Sequence, residues 1–132
     1  MLQLSDICRH IKSHIETGEG ITSGVLDASK SQCIAVFDNN RSQSTRIALG
    51  GAENTRYYKK KISILVHWGK TQKEAESKAK EIYDLFFGVS DIQISGSHIA
   101  FFVAYEPQCI GFTRDKVYEY IVPVDIYINK EE

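Results

Sequence analysis

The chain has little that marks an enzyme, a secreted protein or a membrane protein. Its three cysteines, Cys8, Cys33 and Cys109, are an odd number with no paired spacing, so reduced thiols are expected rather than a disulfide framework. Net charge is −1, so no overall field draws the protein to nucleic acid or to a membrane. No apolar run reaches the length of about 18 residues that a membrane-crossing helix needs. The opening Met1-Leu2-Gln3-Leu4-Ser5-Asp6 shows no basic region followed by an apolar stretch, so no secretory signal is visible.

What is present is an ordinary globular composition, with 42% apolar and 25% charged residues. A chain of 132 residues fits one domain spanning 1–132. At that size roughly two-thirds of the unfolded surface is buried on folding.

The pattern from Ile62 to Phe87 is the clearest in the sequence. It predicts a strand over 62–68, a break at Gly69-Lys70, and a helix from Thr71 to about Phe86. Thr71 and Glu74 have capping-box spacing, so each side chain can satisfy a free N–H of the first turn. Ala75, Ala79, Ile82 and Phe86 form its apolar stripe, and Glu74 with Lys78 and Glu76 with Lys80 are spaced to pair on its exposed side. Leu4, Ile7, Cys8, Ile11 and Ile15 predict an earlier helix over 4–16, ended by Gly18 and Gly20.

Cys33-Ile34-Ala35-Val36-Phe37 reads as a strand covered on both faces. Short strands are expected at 92–94 and 99–105, then a connecting loop over 106–116. A long strand over 117–128 follows, with Pro123 placing it at a sheet edge or bend. The expected class is α+β: a mostly antiparallel sheet of about four to five strands with both helices on one face.

The segment from Asp38 to Arg56 has no sustained period and reads as a long arm, with a short strand at 45–49 inside it. Between Asp38 and Lys61 stand six basic residues, Arg41, Arg46, Arg56, Lys59, Lys60 and Lys61, against Asp38 and Glu53. Tyr57 and Tyr58 are interleaved with them. Such a segment suits phosphates or an acidic neighbouring subunit; it also suits a solvated edge where lysines discourage stray pairing.

Leu65, Phe102 and Tyr127 are expected on the sheet face opposite Ile64, Phe101 and Ile126. If both helices cover one face, the other shows apolar surface of the kind that marks association.

No residues assemble into a catalytic or metal site. His10 and His14 are four apart near Cys8, but a metal needs further ligands, and both flank the apolar stripe. Cys33 is a packing thiol by its apolar strand, and the neighbours of Cys109 offer no base. Gly18-x-Gly20 and Gly50-Gly51 lack the flanking elements of a phosphate loop. Glu119 and Asp125 share a strand face by period alone, which implies no acid/base pair.

The run Lys61-Ile62-Ser63-Ile64-Leu65-Val66-His67-Trp68-Gly69, the Glu-Ala helix from Lys73 to Phe87, Pro107 to Gly111, and Val117 to Tyr127 together resemble the tail-terminator and head–tail joining proteins of tailed bacteriophages, a group including minor capsid proteins. The resemblance extends over most of the chain, and Trp68 departs from it, where a smaller or charged residue is expected. It implies a structural virion component with no catalytic residues and no cofactor. The implied assembly is a ring, commonly of six copies, that closes the tail tube and faces the head connector. The 38–56 arm would reach neighbouring copies, and the stretch from Arg56 to Lys61 would face the tube or passing DNA. The location implied is the virion, with host cytoplasm during assembly. Two other readings stand beside it: a head-completion connector protein, and a small nucleic-acid-binding module using residues 41–61.

Overall fold

Period-two alternation in the C-terminal third builds the strand on which the others are laid. The computed structural model describes residues 2–26, 29–39 and 57–129. In order the elements are α1 (Leu4–His14), β1 (Ile21–Ser23), β2 (Gln32–Asp38), β3 (Tyr57–Trp68) and α2 (Gln72–Phe86), then β4 (Ser90–Ile94), β5 (Ser97–Ala104), β6 (Gln108–Phe112) and β7 (Tyr118–Asn129). One sheet holds them in the order β1-β2-β3-β7-β5-β4, with β6 also on β7. Only β1 and β2 run parallel; every other pairing is antiparallel.

The α+β class holds, but among the described residues the sheet has seven strands rather than four to five. The two that sequence periodicity misses are β1, only three residues long, and β6, which lies inside the expected 106–116 loop. Asp38 is the last residue of β2 rather than the start of an arm. The 45–49 strand, Arg41, Arg46, Arg56, Gly50 and Gly51 lie outside the described residues.

β7 is central, not an edge. It pairs with β3 from Tyr57↔Asn129 to His67↔Glu119, and on its other side with β5 and then β6. Pro123 falls between Ala104↔Val124 and Gln108↔Ile121, where β5 has ended and β6 has not begun. Its carbonyl accepts from Tyr105 N at 3.0 Å on that side. N–H and C=O of one strand residue point the same way, so the donor that proline lacks would have faced this gap.

The β3–β7 register places Ile62, Ile64 and Val66 beside Val124, Val122 and Tyr120 on one face. Both helices pack there, burying Ile7 and Ile11 of α1 and Ala75, Ala79, Ile82 and Phe86 of α2 in a single core. β5 carries a bulge between Ile99 and Phe101 that reverses the alternation beyond it. Phe102, 5% exposed, therefore joins the core opposite Ile126, while Phe101 turns to the outer face beside Tyr127. The sequence expectation had these two phenylalanines exchanged.

The Thr71 cap forms as expected on one side: its hydroxyl oxygen accepts from Glu74 N at 3.3 Å. The Glu74 carboxylate does not return the bond to the backbone but accepts from the Thr71 hydroxyl at 3.2 Å. A Cβ at Gly69, where φ is +77°, would stand 2.6 Å from that carboxylate, so the turn into α2 requires glycine.

The expected Glu74–Lys78 and Glu76–Lys80 pairs are replaced by others. Lys80 meets Asp84 at 3.2 Å, and Lys78 is buried. The Lys78 ammonium donates to Glu16 O at 3.0 Å, pairs with Glu81 at 3.1 Å, and lies 4.6 Å from the centre of the Trp68 ring.

Phe86 is fully buried and meets Phe102 edge-on, ring centres 5.0 Å apart. Phe86→Ala is expected to destabilise the protein by about 3–5 kcal/mol. A loss below about 1 kcal/mol in urea unfolding would show that this contact is not part of the core.

Candidate functional site

On the face of the sheet opposite the helices three exposed aromatic residues, Tyr57, Phe101 and Tyr105, gather. Tyr57 and Lys59 come from β3, Tyr127 from β7, and Phe101 and Val103 from β5, with Tyr105 just beyond. Phe101 stacks on Tyr127 with ring centres 4.4 Å apart and planes 17° apart. Tyr57 meets Phe101 edge-on at 6.1 Å. Tyr57 and Tyr105 are 41% and 45% exposed, so the strip is open to contact over adjacent strands.

A buried carboxylate anchors this strip. Asp125 is only 5% exposed; it accepts from the Tyr105 hydroxyl at 2.8 Å and pairs with Lys59 Nζ at 3.5 Å. Lys59 also lies over the Tyr127 ring, 5.4 Å from its centre. The hydrogen bond to Asp125, then burial, raises the pKa of Tyr105 above its ordinary value. Burial works against the Lys59 ammonium, but hydrogen bonding to Tyr127 and the Asp125 charge outweigh it, so its pKa is also raised.

Toward β2 the same face closes over. Cys33, Ala35 and His67 are buried there. His67 Nδ1 lies 2.8 Å from Glu119 Oε2, and its Nε2 has no hydrogen-bond partner among the described residues. Glu119 and Asp125 thus serve different partners and form no acid/base pair.

Of the residues expected to form an association surface, Leu65 and Tyr127 lie half-buried on this outer face. Phe102 does not; Phe101 takes its place. The signal that decides between them is the bulge, and an unbroken apolar run over 99–103 hides it.

The basic stretch is partly spent on fixed partners. Lys59 pairs with Asp125, and Lys60 pairs with Asp38 at 3.1 Å. Tyr57 and Tyr58 are exposed, and Lys61 is half-buried. β3 is not an edge strand throughout: beyond Asp38↔Ile62 only β7 pairs with it among the described residues, and lysines 59 and 60 fall in that stretch.

The His10 and His14 rings lie 4.6 Å apart, tilted by 47°, with His14 Nδ1 2.9 Å from the His10 carbonyl oxygen. Among the described residues no group of three or more His, Cys, Asp or Glu is placed to hold a metal. No described helix is long and apolar enough to cross a membrane.

By fold and surface this is an α+β protein with a helix-covered inner face and an aromatic outer one. A family profile described as bacteriophage tail terminator protein matches residues 11–131, nearly the whole chain, and the chain belongs to that family. It is therefore a structural, tail-related phage protein, whose membership implies working contacts with other phage tail and head proteins. No curated protein matches the chain.

The raised pKa values of Tyr105 and Lys59 set an alkaline limit. Both groups keep their protons longer in the folded chain than in the unfolded one. Their contribution is complete below about pH 10 and is lost as pH rises through the folded values. Tyr105→Phe is expected to flatten the decline in urea midpoint between pH 9 and 11; an unchanged slope would show that Asp125 does not hold this hydroxyl in solution.

Proposed function

We propose that the protein assembles as a ring that closes the end of the phage tail tube and joins it to the head, binding through extended surface rather than by chemistry. The observation that carries this reading is the outer sheet face, where Tyr57, Phe101 and Tyr127 form a contiguous aromatic strip, with Leu65 farther along β3 on the same face. Aromatic residues at the centre of a patch are the usual anchors of protein association. Family membership over 11–131 supports the tail end as the place of action and the virion as the location. In this reading the copies are six, the partners are the tube and the connector, and the arm of residues 40–56 reaches a neighbour.

The stretch from Tyr57 to Lys61 serves as an interface in the same assembly. Lys59 is held by Asp125 and Lys60 by Asp38, which favours a fixed protein contact over a mobile phosphate clamp. DNA in the channel would meet Lys61 and the arm arginines only without sequence readout. A head-completion protein would use the same surface on the portal side.

Phe101 is 36% exposed, so Phe101→Glu is expected to leave the fold intact and weaken self-association about tenfold or more. Light scattering across micromolar concentrations measures this. Electron micrographs of purified tails decorated at one end support the tail reading. Binding only to DNA-filled heads favours the connector, and a monomer at every concentration defeats the ring.

A further inference from the structure

The open edges of the sheet are not equally guarded. Among the described residues β1, β4 and β6 each pair on one side only. Proteins blunt such edges with short strands, charge, proline or irregular backbone. β1 is three residues long. β4 carries Asp91, whose side chain is 83% exposed and whose φ of +57° interrupts the ladder between Ser90 and Ile92. The stretch of β3 that pairs only with β7 among the described residues bears Lys59, Lys60 and Lys61. β6 has only the bulge between Cys109 and Gly111, which bends the strand without covering it. Gln108–Phe112 holds no charge and no proline, and Ile110 and Phe112 are 51% and 61% exposed.

The charges around β6 say what fits it. Within four residues on either side stand Glu106 before the strand and Arg114, Asp115 and Lys116 after it, all exposed. Lys70 adds a positive charge to the second end, where its Nζ donates to the Asp115 carbonyl oxygen at 3.0 Å. Beside the first end Asp125 and Lys59 offset each other, and in mid-strand Glu119 is held by His67. One end is therefore net negative and the other net positive. Among the described residues no ion pair engages Glu106 or Arg114.

A strand with unlike ends and an uncharged middle is complementary to its own reverse. Laid antiparallel on a second β6, with Ile110 across from Ile110, Glu106 of each copy meets Arg114 of the other. Cys109 then faces Gly111, which has no side chain to crowd it. Parallel pairing would set Glu106 against Glu106 and Arg114 against Arg114.

We propose that two copies of the free protein pair β6 to β6 in antiparallel register, joining their sheets across a two-fold axis. The contact uses the same edge on both copies and closes at two. It is thus not the repeated contact of a ring and stands independently of that reading. In the unassembled protein it covers the edge most open to stray pairing.

Sedimentation of the full chain at micromolar concentration, without tails, tests this, and a dimer is expected. Glu106→Arg should weaken it about tenfold or more by setting arginine against arginine at both ends, and adding Arg114→Glu should restore it. Ile110→Lys should keep the wild-type Tm and weaken the dimer to a similar extent. Cys8 and Cys33 are buried, so the Cys109→Ser background leaves no exposed thiol. There Ile110→Cys should oxidise to a disulfide-linked species that stops at two copies, because directly opposed residues lie within disulfide reach. Phe101→Glu should leave the dimer unchanged. A monomeric wild-type chain, a charge reversal that the second reversal does not rescue, or oxidation that gives no linked dimer overturns the proposal. Loss of the dimer in Phe101→Glu but not in Ile110→Lys also overturns it and leaves the outer face as the contact.

Discussion

The register between β3 and β7 is the constraint on which the molecule depends. From Tyr57↔Asn129 to His67↔Glu119 the two longest strands run flush, so every second residue of each faces the helices. A slip of one residue would move Ile62, Ile64 and Val66 to the outer face and carry Lys59, Lys61 and His67 into the core. That exchange strips apolar burial from one side and strands charge on the other, so the alternative is excluded by both terms. α2 then has one surface to lie on, and its Ala75 and Ala79 let it lie close.

The outer face inherits its character from the same register. Because Asp125 stands on the odd-numbered side of β7, it lies within reach of Lys59 across one strand boundary and of Tyr105 across the other. A carboxylate this deeply buried is tolerable only when paired and hydrogen-bonded, and here both conditions are met. The result is an aromatic strip with a fixed polar pin beneath it. Rigid aromatic surface lowers the entropy lost when a partner docks, which suits a protein of a tail-terminating family.

Much of the fold was legible in the sequence because its strongest elements are strongly periodic. The Thr71–Glu74 cap and the Ala75–Phe86 stripe mark α2 unaided, and the all-apolar Cys33–Phe37 run marks a strand with both faces covered. What was not legible depends on partners distant in sequence. Pro123 suggests an edge to any local rule, and only the handover from β5 to β6 explains why a central strand accepts it. β1 is too short to show a period, and β6 is uncharged but broken by Gly111, so it resembles a loop. The outer strip was half readable: Leu65 and Tyr127 follow from alternation, whereas Phe101 follows from a bulge that no spacing announces. The pairings of Lys59, Lys60 and His67 needed the cross-strand register.

Trp68 is the sole indole and sits where three parts of the molecule meet. Lys78 of α2 lies over its ring, and a Cβ on Gly18, just past α1, would come within 2.8 Å of its Cη2 atom. Lys78 also ties to the Glu16 carbonyl oxygen, which closes the junction from the α1 side. The intrinsic fluorescence of the protein is consequently a local gauge rather than a global one. A shift in its emission would register the two helices parting at this seam even while the far end of the sheet stayed intact.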